Sequence, residues 1–134
     1  MSPVSAIALS GMKAATLRFT AAASNIANAR SNGPLPGAAG AAGFPPAYHP
    51  LRVVQIAAAG GGTLARVETY PTDIVAAYDP DAPFANDVGM IAAPNIDLVE
   101  ETLQLITASN EFAANLLVLR IDAEMSARLF DIKA

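Results

Sequence analysis

Apolar residues recur at helical spacing at both ends of the chain, and the two ends are separated by a stretch with no such period. After Pro94, the run from Asn95 to Ala134 contains neither Pro nor Gly. One apolar seam passes through Leu98, Leu105, Phe112, Leu116, Leu119 and Ala123. A second lies beside it through Val99, Leu103, Ile106, Ala113 and Leu117. Steps of three, four and seven are the signature of an amphipathic helix. At about 1.5 Å per residue, an uninterrupted helix here is roughly 55 Å long. Asp97 followed by Glu100 supplies the start signal, and acid in the first turn suits the helix dipole. Two adjacent seams make a face wider than one packing helix covers, so cover is expected from more than one side, part of it from other chains.

The stretch Ser5–Ala29 repeats the pattern with Ala8, Met12, Ala15, Phe19, Ala22 and Ile26. Ser5 is the expected cap. Asn25, Asn28, Ser31 and Asn32, followed by Gly33, read as the stop. Only Lys13 and Arg18 carry charge within this helix, too little for a rod wet on every side. The two terminal helices are therefore expected to bury their seams in a coiled coil. Asn110 and Asn115 interrupt the C-terminal seams and are candidates for fixing register, since a buried Asn specifies alignment at a cost in stability.

Between the helices the period changes. Asn32 to Pro50 is a Gly/Ala/Pro segment holding Pro34, Pro36, Gly37, Gly40, Gly43, Pro45 and Pro46, which predicts an irregular loop. Leu51–Ile56 and Leu64–Tyr70 flank Gly60-Gly61-Gly62 and predict a hairpin. Asp73–Tyr78 reads as a third strand, and Asn86–Pro94 as a tether. The expected fold is mainly α with a small β element, divided into 1–31, 32–94 and 95–134.

Composition narrows the chemistry. The chain has 134 residues, 53% of them apolar, a net charge of −4 and no cysteine. There is no basic patch for nucleic acid, no thiolate chemistry and no apolar run suited to membrane insertion. Met1-Ser2-Pro3-Val4-Ser5 lacks the basic lead and apolar core of a cleaved signal peptide. His49, the single histidine, lies in a Pro-flanked loop without an acidic neighbour in sequence. Asp79, Asp81 and Asp87 are interrupted by Pro80 and Pro83 and lack the Gly and closing Glu of a calcium loop, so they read as turn formers. Gly60-Gly61-Gly62 lacks the Lys-Ser/Thr of a phosphate loop. No catalytic, cofactor or metal site is expected, and no small-molecule substrate.

The residues that carry a resemblance are terminal. Ile7-Ala8-Leu9-Ser10-Gly11-Met12 with Ala22-Ala23-Ser24-Asn25-Ile26-Ala27-Asn28 resembles the N-terminal signature of bacterial flagellar rod and hook proteins. Asn95 to Glu101, Ser109 to Asn115, Val118-Leu119-Arg120, Glu124-Met125 and Leu129 to Ile132 resemble the matching C-terminal segment. Tyr78-Asp79-Pro80, Asp81-Ala82-Pro83, Gly89 and Pro94-Asn95 narrow this to a divergent member of the FlgC-type proximal rod family. The family pattern continues after Asn28 as Asn-Thr-x-Gly-Tyr, where this chain has Ala29-Arg30-Ser31-Asn32-Gly33. The Arg and Tyr expected after Ser109 are Asn110 and Phe112.

The resemblance implies an axial subunit of the periplasm-spanning rod, exported unprocessed by the flagellar type III apparatus. Its implied partners are other rod subunits and basal-body components. The assembly surface is then expected at Met12, Phe19, Ile26, Leu105, Phe112, Leu116 and Leu119. Two readings of other classes stand beside it. One is a small ligand-binding or enzymatic domain using the Asp79–Asp87 loop, and the other is a cytoplasmic coiled-coil adaptor.

Overall fold

A computed structural model describes residues 2–38 and 41–132. The order of elements is α1 (Pro3–Ala27), β1 (Leu51–Ala57), β2 (Thr63–Thr69), β3 (Ile74–Tyr78), β4 (Met90–Pro94) and α2 (Leu98–Ile132). Two helices and four strands in two small hairpins make the fold a mixed one, so the expectation of a mainly α chain overstated the helices. Gly40, Lys133 and Ala134, assigned above to the loop and to the C-terminal helix, lie outside the described residues.

Helix α1 starts two residues earlier than its pattern suggested. Pro3 occupies the first turn, where its missing N–H costs nothing. Ser2, rather than Ser5, is the cap, its Oγ accepting the Ser5 N–H at 3.0 Å. Asn28 closes the helix as expected, its own N–H returning to Ser24 O at 3.0 Å. Helix α2 begins at Leu98, and Asp97 Oδ1 caps it by accepting the N–H groups of Val99 at 2.8 Å and Glu100 at 3.2 Å. Its 35 residues run without a break to Ile132.

The two helices pack against each other in antiparallel fashion, since Asn25 near the end of α1 bonds Glu101 near the start of α2, and Ser2 bonds Asp122. The buried residues between and beneath them are small: Ala8, Ala14, Ala15, Ala21 and Ala22 on α1 and Ala108 on α2. Alanine brings backbones close but removes little apolar area per residue, so polar contacts weigh more in this interface than in a leucine-filled one.

The β1–β2 hairpin was legible in sequence. Its register pairs Leu51 with Thr69 through Ala57 with Thr63, and Gly60, Gly61 and Gly62 turn it with φ of 115°, 94° and 85°. That backbone region penalises a Cβ, so three glycines in a row are what the turn demands. The hairpin packs on α1 through both of its strands, and the start of β1 at Leu51–Val53 lines a cleft shared with Glu101 and Gln104 of α2. Tether residues Met90–Pro94 instead form β4, antiparallel to β3 with Ile74 opposite Pro94. Ala92 also exchanges two bonds with Gly33, N–H to O at 2.9 and 3.0 Å, which ties the start of the Pro/Gly-rich loop to this sheet. The short Ala/Pro-containing sequence hid a strand whose Ile91 and Ala92 are among the most buried residues of the chain.

Candidate functional site

Each helix of this molecule presents one covered face and one open face, and the candidate site is built from the residues that divide them. On α1 the alanines Ala8, Ala15 and Ala22 form a common line. Their neighbours four residues on are Met12, Phe19 and Ile26. Those three residues on are Gly11, Arg18 and Asn25. Apolarity favours the first set, yet the structure turns the second toward α2. Phe19 is 47% exposed, Met12 and Ile26 are half-buried, and Asn25 is wholly buried.

On α2 the covered stripe is Glu101, Leu105, Ala108, Asn115, Leu119 and Asp122, with Phe112 at its margin. Of the first seam, Leu105 and Leu119 lie on this stripe and Leu116 is half-buried beside it, while Leu98 and Ala123 are exposed. Phe112 is 38% exposed and lines a groove with Thr16, Phe19, Ala108 and Ser109. It also borders a second groove with Leu9, Met12 and Leu17. The sequence-derived set thus splits: Leu105, Leu116 and Leu119 sit at or beside the covered stripe, whereas Met12, Phe19 and Phe112 share the open grooves above it. The second seam is outside altogether, with Val99, Leu103, Ile106 and Leu117 all exposed.

The polar residues of the covered face are densely bonded, with the buried Arg18 Nε left without a partner. Asn25 was read as a stop signal. Its Nδ2 donates to Leu51 O at 2.7 Å and to Glu101 Oε1 at 2.8 Å, while its Oδ1 accepts from Leu51 N–H at 2.8 Å and Tyr48 Oη at 3.0 Å. Two donors and two acceptor sites exhaust what an amide side chain offers. Asn25 therefore pairs with Leu51 as a neighbouring strand would, and joins α1, β1, α2 and the Tyr48 loop at one point. Ser24 Oγ continues the chain of bonds to Tyr48 Oη at 3.0 Å.

Glu101 is 6% exposed, and burial pushes its carboxyl above the usual glutamate range; the Asn25 bond opposes that rise and the Glu100 charge adds to it. Burial together with Glu101 and Glu100 likewise pushes the Tyr70 phenol up. At the far end, Asp122 accepts from the hydroxyls of Ser2 and Ser5, and these bonds hold its carboxyl below the usual aspartate range. Between the two ends, Arg18 pairs with Glu111, and Asn115 lies against Gly11 while donating to Glu111 O at 2.8 Å. Asn110, paired with Asn115 in the register expectation, is exposed and takes no part in the covered face.

The groups weighed for chemistry remain turn and loop residues. The Asp79–Gly89 turn is held by Asp79 N–H to Gly89 O at 2.9 Å and by Asn86 Oδ1, which accepts from Val88 and Met90. His49 does find an acid, Asp73 Oδ2 at 2.7 Å from Nδ1, brought from 24 residues away. That bond holds the Asp73 carboxyl below its usual range, and it pins the loop to the start of β3. Among the described residues, no group of three or more His, Asp or Glu is placed to hold a metal ion, and no helix is long and apolar enough to cross a membrane.

An alanine-packed helix pair, joined by polar contacts inside and lined with large apolar side chains outside, defines a structural subunit whose functional parts are contact faces. No family model matches the chain. It is similar to the flagellar basal-body rod protein FlgC of Agrobacterium fabrum, 30% identical over 98% of this chain and 94% of the relative. It also resembles FlgC of Escherichia coli O6:H1 at 34% and FlgC of Salmonella typhimurium at 35% identity, each over 84% of this chain and 83% of the relative. The chain belongs to the FlgC family of flagellar basal-body rod proteins.

Proposed function

We propose that the protein is a structural axial subunit of the flagellar rod, built into its proximal part through the outward faces of α1 and α2. The observation that carries the assembly reading is the exposed seam Val99, Leu103, Ile106 and Leu117, continued by Ile121, Met125 and Leu129 along the same long helix. Single exposed apolar residues need no explanation, but a contiguous stripe of this length marks a contact surface. Met12, Phe19 and Phe112 extend it across the grooves between the helices, and Ile26, Leu105, Leu116 and Leu119 support it from beneath.

In this reading the helices of neighbouring subunits close over the seam in coiled-coil fashion. The neighbours are other rod subunits and basal-body components. The chain reaches the periplasm through the flagellar type III apparatus with its terminus intact. Work is done by transmitting torque through packed helices, so no catalytic group, cofactor or small-molecule substrate is required. The comparisons favour neither a ligand-binding domain built on the Asp79–Asp87 loop nor a cytoplasmic adaptor, since the relatives are named as rod proteins.

The test is genetic and biochemical together. A strain lacking the gene is expected to stop before the rod is complete and to lose motility, with both restored by the native chain. Complete rods in the deletion strain would overturn the reading.

A further inference from the structure

The apolar residues that bring α1 and α2 together repeat so regularly that they do not define an alignment. Ala8, Ala15 and Ala22 follow one another at steps of seven, as do Ala14 and Ala21. On the other helix Leu105, Phe112 at the margin of the covered stripe, and Leu119 do the same. Sliding one helix past the other by seven residues, about 10 Å at 1.5 Å per residue, sets alanine on alanine and leucine against the same line again.

The polar residues break this degeneracy. Glu101, Asn115 and Asp122 lie on a single seven-residue spacing whose remaining member is Ala108, and Asn25, Arg18 and Gly11 lie on another. In the observed alignment Asn25 meets Glu101 at 2.8 Å, Gly11 meets Asn115, and the first turn of α1 at Ser2 and Ser5 meets Asp122. The middle contact is steric: a Cβ on Gly11 would come 2.6 Å from Asn115 Oδ1, so a larger residue there would require the Asn115 side chain to move. A slip by seven in one direction sets Asn25 against Ala108 and Arg18 against Asn115. In the other direction Asn25 passes the start of α2 altogether. Either slip parts the buried Asn25 amide from Glu101 and undoes the Arg18–Glu111 pair and the Ser2 and Ser5 bonds to Asp122; in the second direction Glu101 comes opposite Arg18, so the penalty there lies with the unmet amide and the lost contacts.

We propose that Asn25 with Glu101, Gly11 with Asn115, and Ser2 and Ser5 with Asp122 are the specificity determinants that select the one alignment in which α1 pairs with its own α2. The exposed apolar seam is then left for other chains, and its usefulness depends on the covered seam being held in one place. Selection of the alignment is a property of the isolated chain and stands apart from the rod assignment.

The absence of cysteine makes the test direct. Spin labels at Thr20→Cys and Val118→Cys, both exposed, report the helix offset by pulsed electron resonance. The native background is expected to give one narrow distance population. With Glu101→Leu, Asn115→Leu and Asp122→Leu combined, the circular dichroism is expected to stay helical while added populations appear, offset along the helix axis by about 10 Å. A single native distance in the triple variant, or several distances in the native background, would overturn the proposal. Should the triple variant lose its helical signal, Asn115→Leu with Asp122→Leu decides instead, because it keeps Asn25 joined to Glu101. Slipped populations there support the proposal, and an unchanged single distance overturns it as stated, because Asn115 and Asp122 would then not be determinants.

Discussion

At the scale of residues, Asn25 carries more of the architecture than any apolar side chain near it. Removing its amide strands the Leu51 N–H and C=O and the Glu101 carboxylate in a buried site. Asn25→Ala is therefore expected to destabilise the chain by about 3 kcal/mol or more, read from urea titration. A loss under about 1 kcal/mol would mean that water replaces these bonds. Glu101 makes a prediction in pH. Its folded carboxyl titrates above the ordinary value of 4.5, so the folded state holds the proton more tightly than the unfolded chain. That contribution is full below 4.5 and is lost as pH rises through the raised folded value. Glu101→Gln, which keeps an acceptor for Asn25, is expected to remove that decline. Asp73 and Asp122 act in the opposite sense. Both titrate below the ordinary 3.8, so their contribution is present above that value and is lost as pH falls through the lowered one. Asp122→Asn is expected to blunt the acid limb of the stability curve, and an unchanged limb would show that the serine bonds do not persist in solution.

At the scale of elements, the helices and the first hairpin were legible because each rests on a local signal: unbroken helical spacing after Pro94, the Asp97 cap, and three glycines between two β-branched runs. What was not legible is which side of each helix faces its partner. On α1 the alanines are common to two candidate stripes, and hydrophobicity points to Met12, Phe19 and Ile26, while Gly11, Arg18 and Asn25 make the contacts to α2. The partner's chemistry decides this, and a single helix does not carry it. A signal was present in the spacing, since Glu101, Asn115 and Asp122 share one seven-residue line as Asn25, Arg18 and Gly11 share another. Strand β4 was missed for a different reason. Ala92, Ala93 and Pro94 are poor strand formers around a single Ile91, and tertiary packing against Gly33 and β3 makes the strand. The His49–Asp73 contact joins two loops across the fold, and sequence proximity does not report such pairs.

At the scale of the whole molecule, one side of the α1–α2 pair is spent on folding and the other remains for assembly. This separation makes a clean prediction. Leu103→Glu with Ile106→Glu alters only the outer seam, where the two side chains are 58% and 55% exposed, so the isolated chain is expected to keep its helical signal and its stability within about 0.5 kcal/mol. In cells the same change puts two carboxylates into a subunit contact and is expected to block incorporation, because a buried unpaired charge is not compensated. The most direct measurement of the account is therefore the amount of this protein in basal bodies purified from a deletion strain complemented with the native or the Leu103→Glu/Ile106→Glu chain. Native protein present in the rod fraction, with the variant folded and expressed yet absent from it and the cells non-motile, is the predicted result. Equal amounts of the two in the rod fraction, with motility intact, would contradict the claim that the outer seam is the assembly surface.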